Sequence, residues 1–339
     1  MSVVMKSGTS DYQIQAVVER MKTYGVDVHI SKGKYQVFLG AIGDESGIDF
    51  EAISAMEGVE RTSPIQKDVK YPLVSRRFCP ENKDVMIGGN GTNALYVGNG
   101  KPVYIAGPCS VESLDQMRNV AEHVANISVK DGYAQYMLRG GVWKPRTNPH
   151  TFQGLGDEGI KILEKVRREF GLPVLTEGMR EEHMPLISEN LDAIQIGARN
   201  MQNYDLIKAA GKTGKPVIFK KGTDHTVEEF LQASEYILVG GNGKGQSGIV
   251  FCPRGSFTKD SKYIRNRPDM ECLPVISHES YFPAIFDPSH SIGKKELVGK
   301  VSAAAMIMGA QGLLIEVHPD PKTQKRTKVN RLLGPNFLK

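Results

Sequence analysis

The sequence predicts an α/β protein in which a small ferredoxin-like βαββαβ domain precedes a (β/α)8 TIM barrel. Three observations on the 339-residue chain lead to this prediction. The first 70 residues follow one pattern of short strands and helices, and a different rhythm begins near residue 101. From there, apolar runs rich in β-branched residues recur eight times, with amphipathic helical stretches between them. No GxGxxG motif opens a helix, so a closed barrel is favoured over an open, doubly wound sheet.

Residues 1–70 show the order of elements that a ferredoxin-like domain requires. A short strand, VVMK, comes first, and YQIQAVVERMKTYG then carries apolar residues at helical spacing up to Gly25. The alternating segments VDVHIS and YQVFLGAIG predict two half-buried strands around a KGK turn. FEAISAMEGV predicts a second helix and VERTSPIQ a last strand, which completes a split βαβ unit. Nothing in this segment has a catalytic pattern.

Residues 71–100 are rich in glycine and asparagine, and they predict a linker followed by a small hairpin that covers the bottom of the barrel. Residues 101–339 then form the barrel domain. Its eight predicted strands are the runs PVYIAGPC, AQYMLRGG, PVLTEG, AIQIGARN, PVIFKKG, GIVFCPRG, AIFDPSHS and GLLIEVHP. These runs are apolar enough to be buried on both faces, as parallel strands are.

The composition limits the classes of function. Lys and Arg number 43 against 38 Asp and Glu, a formal net charge of +5, and no run of basic residues indicates a nucleic-acid partner. No stretch of 18 apolar residues exists, so no membrane span is predicted, and the N-terminus turns polar too early for a secretory signal. The four cysteines are scattered without CxxC spacing, which is typical of reduced thiols, so we expect a cytoplasmic location.

Polar and charged residues follow every predicted barrel strand, at the end where TIM barrels place their active sites. In chain order these are Cys109, Arg139 with Lys144 and Arg146, Glu177, Arg199, Lys220, Arg254, Asp287 with His290, and Glu316 with His318. A single lysine or arginine is usually a solvated surface residue. Six of them around one cleft would repel one another, so together they predict ligands with several negative charges, such as phosphates and carboxylates.

A second set of strand-end residues has the chemistry of metal ligands. The thiol of Cys109, the imidazole of His290 and the carboxylate of Glu316 have the donor atoms to bind a first-row divalent metal. Their spacing is long-range and matches no local zinc motif, and a lone buried cysteine is more often a small apolar residue. His290 has the better claim because it lies in a polar turn between Ser289 and Ser291.

Several motifs, in order along the chain, resemble those of a known family. AGPCSVES, LRGGVWKPRTNPHTFQGLG, TEG, QIGARNMQN, FKKG, FDPSHS and IEVHPDP are similar to motifs of the 3-deoxy-D-arabino-heptulosonate 7-phosphate (DAHP) synthases. The similar branch shares ancestry with the 3-deoxy-octulosonate 8-phosphate (KDO8P) synthases. The resemblance covers residues 1 to about 321, because residues 1–70 look like the ACT-like regulatory domain of one subgroup. KPRTNP is the most specific element, since KDO8P synthases carry a KANRSS-like segment there.

The resemblance implies a condensation of phosphoenolpyruvate with D-erythrose 4-phosphate and water, which gives DAHP and phosphate in the first step of the shikimate pathway. It implies that phosphoenolpyruvate is bound by Arg139, Lys144, Arg199, Lys220 and Arg254, and erythrose 4-phosphate by Arg146 and Thr147. In this reaction the enol C3 attacks the aldehyde carbon, water adds at C2, and phosphate leaves by C–O cleavage.

The resemblance also implies a divalent metal and a regulated assembly. Cys109, His290 and Glu316 match three of the family's four metal ligands, for one Mn, Fe, Co or Zn ion that polarises the aldehyde oxygen. Lys144, Glu177 and His290 are the expected catalytic residues, with Glu177 orienting the attacking water or balancing charge. Tyrosine or phenylalanine is the expected feedback effector, bound between paired N-terminal domains of a homotetramer.

The C-terminal segment departs from the family pattern. The family's fourth metal ligand is an aspartate, and the equivalent position here is about Thr327, with no acidic residue after Asp320. The 18 residues after Pro321 are strongly basic and contain Pro335, so the last barrel helix is predicted to be missing or altered. Apolar flanks of the first and last barrel helices would then be exposed.

Three explanations fit this departure: an altered terminus that impairs the enzyme, replacement of the ligand by water or by Asp320, or cover by another subunit. Two other functions therefore stay open from the sequence. One is a catalytically impaired relative that binds the phosphorylated substrates without turnover. The other is a KDO8P synthase, which would use arabinose 5-phosphate.

Overall fold

The computed structural model describes residues 1–33, 35–64, 70–130, 132–144, 146, 148–241 and 248–319. The predicted substrate ligand Thr147 and the position near Thr327 lie outside the described residues, as does the segment predicted to lack a barrel helix. Within the described residues, no helix is long and apolar enough to cross a membrane.

The N-terminal domain has the predicted order of elements. They are β1 (Ser2–Met5), α1 (Asp11–Lys22), β2 (Asp27–Lys32), β3 (Val37–Ile42), α2 (Phe50–Ser54) and β4 (Val59–Ser63). The strands form an antiparallel sheet in the order β2-β3-β1-β4, the arrangement of a ferredoxin-like domain. Helix α1 begins at a capping box formed by Ser10 and Gln13. Its buried side chains, among them Val17 and Met21, form a core with Leu39 on one face of the sheet.

The other face of this sheet packs against the segment that follows the domain and against the barrel. Val4 and Phe38 belong to the same buried cluster as Leu73 and Phe78. His29 also lies on this side, where its ring is 5.9 Å from that of Phe78 and the residue is only 5 % exposed. The N-terminal domain therefore shares a buried interface with the rest of the chain.

A short hairpin, β5 (Val85–Ile87) and β6 (Leu95–Val97), lies between the two domains in sequence. The side chain of Gln135, at the start of a barrel strand, bonds to the backbone N–H of Tyr96 at 2.7 Å and to its carbonyl oxygen at 2.8 Å. Val85 fills the space beside Gly248, which directly precedes another barrel strand. The hairpin thus covers the amino-terminal end of the barrel, opposite the strand ends that carry the predicted site.

Seven parallel strands form the barrel sheet. They are β7 (Val103–Gly107), β8 (Gln135–Arg139), β9 (Val174–Gly178), β10 (Ala193–Ile196), β11 (Val217–Lys220), β12 (Ile249–Cys252) and β15 (Gly312–Glu316). Their order around the sheet is β12-β11-β10-β9-β8-β7-β15, so neighbours in sequence are neighbours in space. This is the order that right-handed βαβ units produce in a closed barrel.

Residues 284–286 supply the eighth position of the barrel. Ala284 forms a parallel bridge to Phe251 of β12, and Phe286 forms one to Leu313 of β15. Backbone hydrogen bonds of 2.8–3.0 Å hold this segment to both neighbours. Pro283 precedes the segment and cannot donate to a ladder, which keeps it short. All eight predicted runs therefore take part in a nearly closed ring.

Helices follow the strands on the outside of the ring. They are α3 (Leu114–Lys130), α4 (Asp157–Phe170), α5 (His183–Asn190), α6 (Tyr204–Lys212), α7 (Val227–Gly241), α8 (Cys272–Glu279) and α10 (Lys295–Ile307). A short helix, α9 (Pro288–Ile292), and a second hairpin, β13 (Gly255–Ser256) with β14 (Arg267–Pro268), lie near the carboxyl ends of the strands. Val129 in α3 is 88 % exposed and Ile307 in α10 is 87 % exposed. These are the helices whose apolar flanks the sequence predicts to be exposed.

Candidate active site

A cleft opens at the carboxyl ends of the barrel strands and contains about 530 Å³ of empty space that is continuous with solvent. It is lined by Cys109, Arg139, Lys144, Glu177, Gln195, Gly197, Ala198, Arg199, Lys220, Arg254, Arg265 and His290. Parallel strands of a barrel end at the same rim, so residues far apart in sequence meet there. Cys109 and His290 are 181 positions apart, yet Sγ of the first lies 3.8 Å from Nε2 of the second.

Lys144 reaches deep into the cleft from the turn that follows β8. The buried hydroxyl of Thr176 fixes this turn, because it donates to the carbonyl oxygen of Gly140 at 2.7 Å and accepts from the N–H of Val142 at 3.3 Å. Nζ of Lys144 donates to the carbonyl oxygen of Cys109 at 2.6 Å and lies 3.3 Å from its Sγ. Burial lowers the pKa of Lys144 to about 8, so its ammonium group is poised to release a proton near neutral pH.

Asp287 joins two of the predicted residues in a buried network. Its carboxylate forms an ion pair with Nζ of Lys220 and accepts from both Nδ1 and the backbone N–H of His290, each at 2.8 Å. Burial opposes its ionisation, but His290 and Lys220 hold the pKa of Asp287 well below its usual range. Burial lowers the pKa of His290 to about 4, so its ring is neutral at pH 7 and carries its proton on Nδ1. Nε2 is left as the nitrogen that faces Cys109 and Glu316.

Cys109, His290 and Glu316 form a group with the geometry of metal ligands. Their donor atoms all lie within 4.8 Å of one another, and all three residues are buried. Nε2 of His290 is 3.4 Å from Oε2 of Glu316. One thiolate, one imidazole and one carboxylate suit a first-row divalent ion, and metal-bound histidines usually donate their second N–H to a carboxylate, as His290 does to Asp287. The donor set therefore fits the metal that the resemblance implies.

Arginines surround the mouth of the cleft. Arg254 donates from Nη2 to the carbonyl oxygen of His290. Burial lowers the pKa of Arg254, and the charges of Arg265 and Arg199 act in the same direction. Arg146 lies beside the cleft rather than in its lining; burial lowers its pKa, and the charge of Arg199 adds to this. Since these cations repel one another, the group is suited to a ligand that carries several negative charges.

Glu177 is the carboxylate that the cleft lining contains, within the described ranges. A side chain at Gly197 would overlap this carboxylate, so the glycine makes room for it. Gln195, on the strand that ends just before Gly197, is 3 % exposed and also lines the cleft, and its Oε1 has no hydrogen-bond partner among the described residues. Glu177 lies close enough to Lys144 to favour its charged form, against the effect of burial.

An aromatic stack holds the loop that carries Lys144 and Arg146. The ring of Trp143 stacks on that of His183, with a centroid distance of 3.7 Å and an angle of 12° between the planes. His183 is fixed in turn at the start of α5, where its Nδ1 accepts from the backbone N–H of Met179 at 3.3 Å. The stack ties this loop to the neighbouring βα unit.

The structure brings together most of the residues predicted from the sequence. All predicted catalytic, substrate-binding and metal-binding residues line the cleft except Arg146, Glu316 and Thr147. Arg146 is displaced toward its own loop, Glu316 is buried behind His290, and Thr147 lies outside the described residues. Arg265 and Gln195 line the cleft but do not follow from the strand-end rule, because Arg265 lies in a hairpin excursion and Gln195 lies inside an apolar run.

The fold and the cleft define a barrel enzyme that acts on phosphorylated substrates. Residues 81–336 match the model of the DAHP synthetase I family, and residues 1–67 match the model of the DAHP synthase ferredoxin-like domain. The chain therefore belongs to the DAHP synthetase I family and is an enzyme of that family, which confirms the resemblance of its motifs.

Curated relatives and solved structures are similar over most of the chain. A phospho-2-dehydro-3-deoxyheptonate aldolase of Thermotoga maritima is 40 % identical over 322 residues, which covers 95 % of this chain and 90 % of the relative. The crystal structure of that organism's phospho-2-dehydro-3-deoxyheptonate aldolase (DAHP synthase) matches with a TM-score of 0.70 at 38 % identity, over 98 % of this chain and 91 % of that one. A 2-dehydro-3-deoxyphosphooctonate aldolase of Magnetococcus marinus is 33 % identical over 240 residues, 66 % of this chain and 80 % of the relative.

Proposed function

We propose that the chain catalyses the metal-dependent condensation of phosphoenolpyruvate with D-erythrose 4-phosphate and water to DAHP and phosphate, the entry to the shikimate pathway. One observation carries this proposal: a strongly cationic cleft lies directly beside a Cys–His–Glu ligand set in a chain of this family. The Thermotoga maritima relative, whose name states the same heptonate product, supports the choice of substrates.

Phosphoenolpyruvate is the ligand that the cationic lining suits. Its carboxylate and phosphate are held by Arg139, Lys144, Arg199, Lys220 and Arg254. Three of these residues, Arg139, Lys144 and Lys220, are no more than 7 % exposed, so they act on the ligand from a region poor in water. Charge interactions are strong there, and the cations are already in position before the reaction begins.

Erythrose 4-phosphate is bound by the loop that follows β8. Arg146 and Thr147 hold its phosphate group, with Arg146 placed by its own loop and close to Arg199. The aldehyde end then points toward Cys109 and His290, where the metal ligands lie. The KPRT sequence of this loop, rather than a KANRSS-like segment, favours the four-carbon aldose phosphate over arabinose 5-phosphate.

The residues of the chain supply positions and protons for the reaction. C3 of phosphoenolpyruvate forms a bond to the aldehyde carbon, and the aldehyde oxygen takes a proton that Nζ of Lys144 delivers from its buried position. Water bonds to C2 while Glu177 orients it and accepts one of its protons. The bond between C2 and the phosphate oxygen then breaks, the new C2 hydroxyl gives its remaining proton to the departing phosphate, and C2 becomes the ketone carbon of the product. Lys220 and the arginines stabilise the phosphate as it leaves.

A divalent metal held by Cys109, His290 and Glu316 would act as a Lewis acid on the aldehyde oxygen. Asp287 keeps the proton of His290 on Nδ1, so that Nε2 presents a lone pair to the ion. Manganese, iron, cobalt and zinc all accept this donor set.

The N-terminal domain is proposed to regulate the barrel. Its second sheet face is buried against the linker and the barrel, so a change in its position is transmitted mechanically to the base of the barrel. Tyrosine or phenylalanine is the proposed effector, bound between paired domains of a homotetramer. Deletion of residues 1–70 should abolish inhibition and keep activity; unchanged inhibition would refute the regulatory role. A truncated form of the Thermotoga maritima DAHP synthase has been solved, which supports the design.

The reaction is tested by measuring the phosphate released in a mixture of both substrates, with added manganese and after EDTA treatment. We expect turnover that EDTA abolishes, metal bound near one ion per chain, and loss of both in Cys109→Ser but not in the matched buried variant Cys272→Ser. Arabinose 5-phosphate in place of erythrose 4-phosphate should give little turnover. If the chain binds phosphoenolpyruvate tightly but shows neither turnover nor bound metal, it is instead a catalytically impaired relative.

A further inference from the structure

The proposed metal ligands Cys109 and Glu316 lie at neighbouring strand ends, and the ladder between these strands stops before it reaches the cysteine. The register of β15 against β7 ends at the pair Glu316 and Gly107, and the N–H of Val317 then donates to the carbonyl oxygen of Gly107 at 3.0 Å. Cys109 lies two residues further along its own segment. The separation of the two ligand-bearing segments is therefore left to contacts beyond the ladder.

Gln116, near the start of α3, is fastened to the segment that follows Cys109. The residue is buried, with 8 % of its surface exposed. Oε1 accepts from the backbone N–H of Glu112 at 2.9 Å, and Nε2 donates to the carbonyl oxygen of Ser110 at 3.3 Å. A backbone N–H can only donate, so the amide oxygen must face Glu112. The orientation of the carboxamide is therefore determined by the contacts themselves.

The same amide nitrogen reaches the segment that follows Glu316. Nε2 of Gln116 lies 2.8 Å from Nε2 of His318, which is two residues beyond Glu316. The amide nitrogen can only donate, so this ring nitrogen is the acceptor. His318 is 3 % exposed, so the contact is shielded from water. Gln116 thus connects Ser110, the residue directly after Cys109, to the segment that carries Glu316.

Other contacts tie each segment to a different neighbour. The backbone N–H of Glu316 donates to Oγ of Ser289 in α9 at 3.0 Å, and Nζ of Lys144 donates to the carbonyl oxygen of Cys109 at 2.6 Å. A divalent ion such as zinc needs these ligands at about 2.0–2.3 Å, distances that are defined to within about 0.2 Å. A link between the two segments themselves therefore bears on the affinity for the ion.

We propose that Gln116 is a positioning residue that, through His318, sets the separation of the segments carrying Cys109 and Glu316, and so the affinity of this site for a divalent metal. This inference deepens the proposed function and rests on it. Neither Gln116 nor His318 lines the cleft, so both act on the metal ligands from behind, as the outer partners of metal sites do.

Two substitutions at Gln116 and a matched control test this proposal. Gln116→Met keeps an unbranched side chain of similar length and removes all three side-chain hydrogen bonds, while Gln116→Glu keeps the acceptor for Glu112 and removes both donors. The control is Gln135→Met at the opposite end of the barrel. There the carboxamide likewise accepts from a backbone N–H, that of Tyr96 at 2.7 Å, and donates to the carbonyl oxygen of the same residue at 2.8 Å.

Chelator competition for Co(II) and the Co(II) absorption bands report on the metal site without turnover, and urea denaturation reports on folding. Gln116→Met and Gln116→Glu should each bind Co(II) roughly tenfold more weakly than the wild type, the lower end of the range for outer partners of metal ligands, and shift the thiolate-to-cobalt band. Gln135→Met should keep the wild-type Co(II) affinity and bands.

His318→Leu removes the same link from its other end and should resemble Gln116→Met. The double variant should bind Co(II) no more weakly than the weaker of the two single variants, because both substitutions break one link. Additive losses in the double variant would overturn the link through His318.

Wild-type Co(II) affinity and bands in whichever Gln116 and His318 variants fold would overturn the proposal, and turnover by the wild-type chain would then leave the proposed function standing. An equal loss of Co(II) affinity in Gln135→Met would also overturn it, because the effect would then be one of general stability. Co(II) binding that depends on Gln116 in a chain without turnover would uphold the inference while the proposed function fails.

Discussion

Replacing Asp287 with asparagine tests how the cationic cleft and the metal ligands depend on one buried carboxylate. The substitution keeps the shape of the side chain and removes its charge. Asp287 is fully buried, it forms the ion pair with Lys220, and it accepts from Nδ1 of His290 at 2.8 Å. The variant therefore leaves a buried ammonium group without its counter-charge and lets the His290 ring change its proton position.

The expected loss can be estimated from both contacts. Removing one partner of a buried ion pair costs about 3–5 kcal/mol of folding free energy, because the other charge stays buried. Removing the carboxylate that orients a metal-bound histidine costs about 10–100-fold in metal affinity. Asp287→Asn should therefore unfold at lower urea concentration and bind metal much more weakly, with lower turnover as a consequence.

A second buried ion pair provides the matched control. Nζ of Lys221 lies 2.8 Å from Oδ2 of Asp269, with side-chain exposures of 4 % and 9 %, and neither residue lines the cleft. Asp269→Asn should lose a similar folding free energy in urea denaturation and keep its metal affinity. Chelator competition for Co(II), followed by its absorption bands, measures that affinity without turnover. Equal Co(II) affinities in Asp287→Asn and Asp269→Asn would refute the reasoning about His290, and unchanged stability in Asp287→Asn would refute the reasoning about Lys220.

Three further predictions concern the interface, the cleft and the loop. Burial lowers the pKa of Lys83 from 10.5 to about 8, so the free energy of unfolding of the wild type should rise with pH between about 8 and 10.5. Lys83→Met should remove this rise and increase the free energy of unfolding at pH 7 by as much as about 3 kcal/mol. Urea denaturation at a series of pH values measures both effects. Gly197→Ala should displace the Glu177 carboxylate and lower turnover at least about tenfold while the protein stays folded; wild-type kinetics would contradict that placement. His183→Ala should remove the stack on Trp143, change its fluorescence, and raise the Michaelis constant for the aldose phosphate more than that for phosphoenolpyruvate; equal changes would show that the loop does not depend on the stack.

The strand ends of the barrel could be predicted because one geometric rule applies to all of them. Each apolar run fixes where a strand stops, and a closed parallel barrel places every stop at one rim. That rule is enough to bring Cys109 to Nε2 of His290 across 181 positions. It also explains why the eighth run was recognisable although it makes few ladder bonds: its apolar residues, Ala284 to Phe286, still fill the gap between β12 and β15.

Other features follow from packing that sequence patterns do not encode. Arg265 lies between β13 and β14, outside the barrel strands, and a backbone hydrogen bond to Ile292 of α9 holds this segment beside the cleft. The sheet face that carries His29 and Ser31 has a polar pattern typical of solvent exposure, yet both residues are buried against the segment after the domain. Arg146 follows the predicted motif but turns into its own loop, where its Nε donates to the carbonyl oxygen of Phe152 at 3.0 Å, a contact that the motif does not specify.

The charges of the cleft fall into two groups with different consequences. Lys220 and His290 are bound internally by Asp287, so their positions are set by the protein whether or not a ligand is present. Burial lowers the pKa of Arg254 and the charge of Arg265 acts in the same direction, while neither arginine forms an ion pair with a carboxylate among the described residues. The inner group therefore maintains the geometry of the proposed metal ligands. Binding of an anion to the outer group would stabilise the chain, since a ligand that binds only the folded state stabilises it. Because one carboxylate fixes the inner group, Asp287 is the position at which loss of folding stability and loss of metal affinity should occur together.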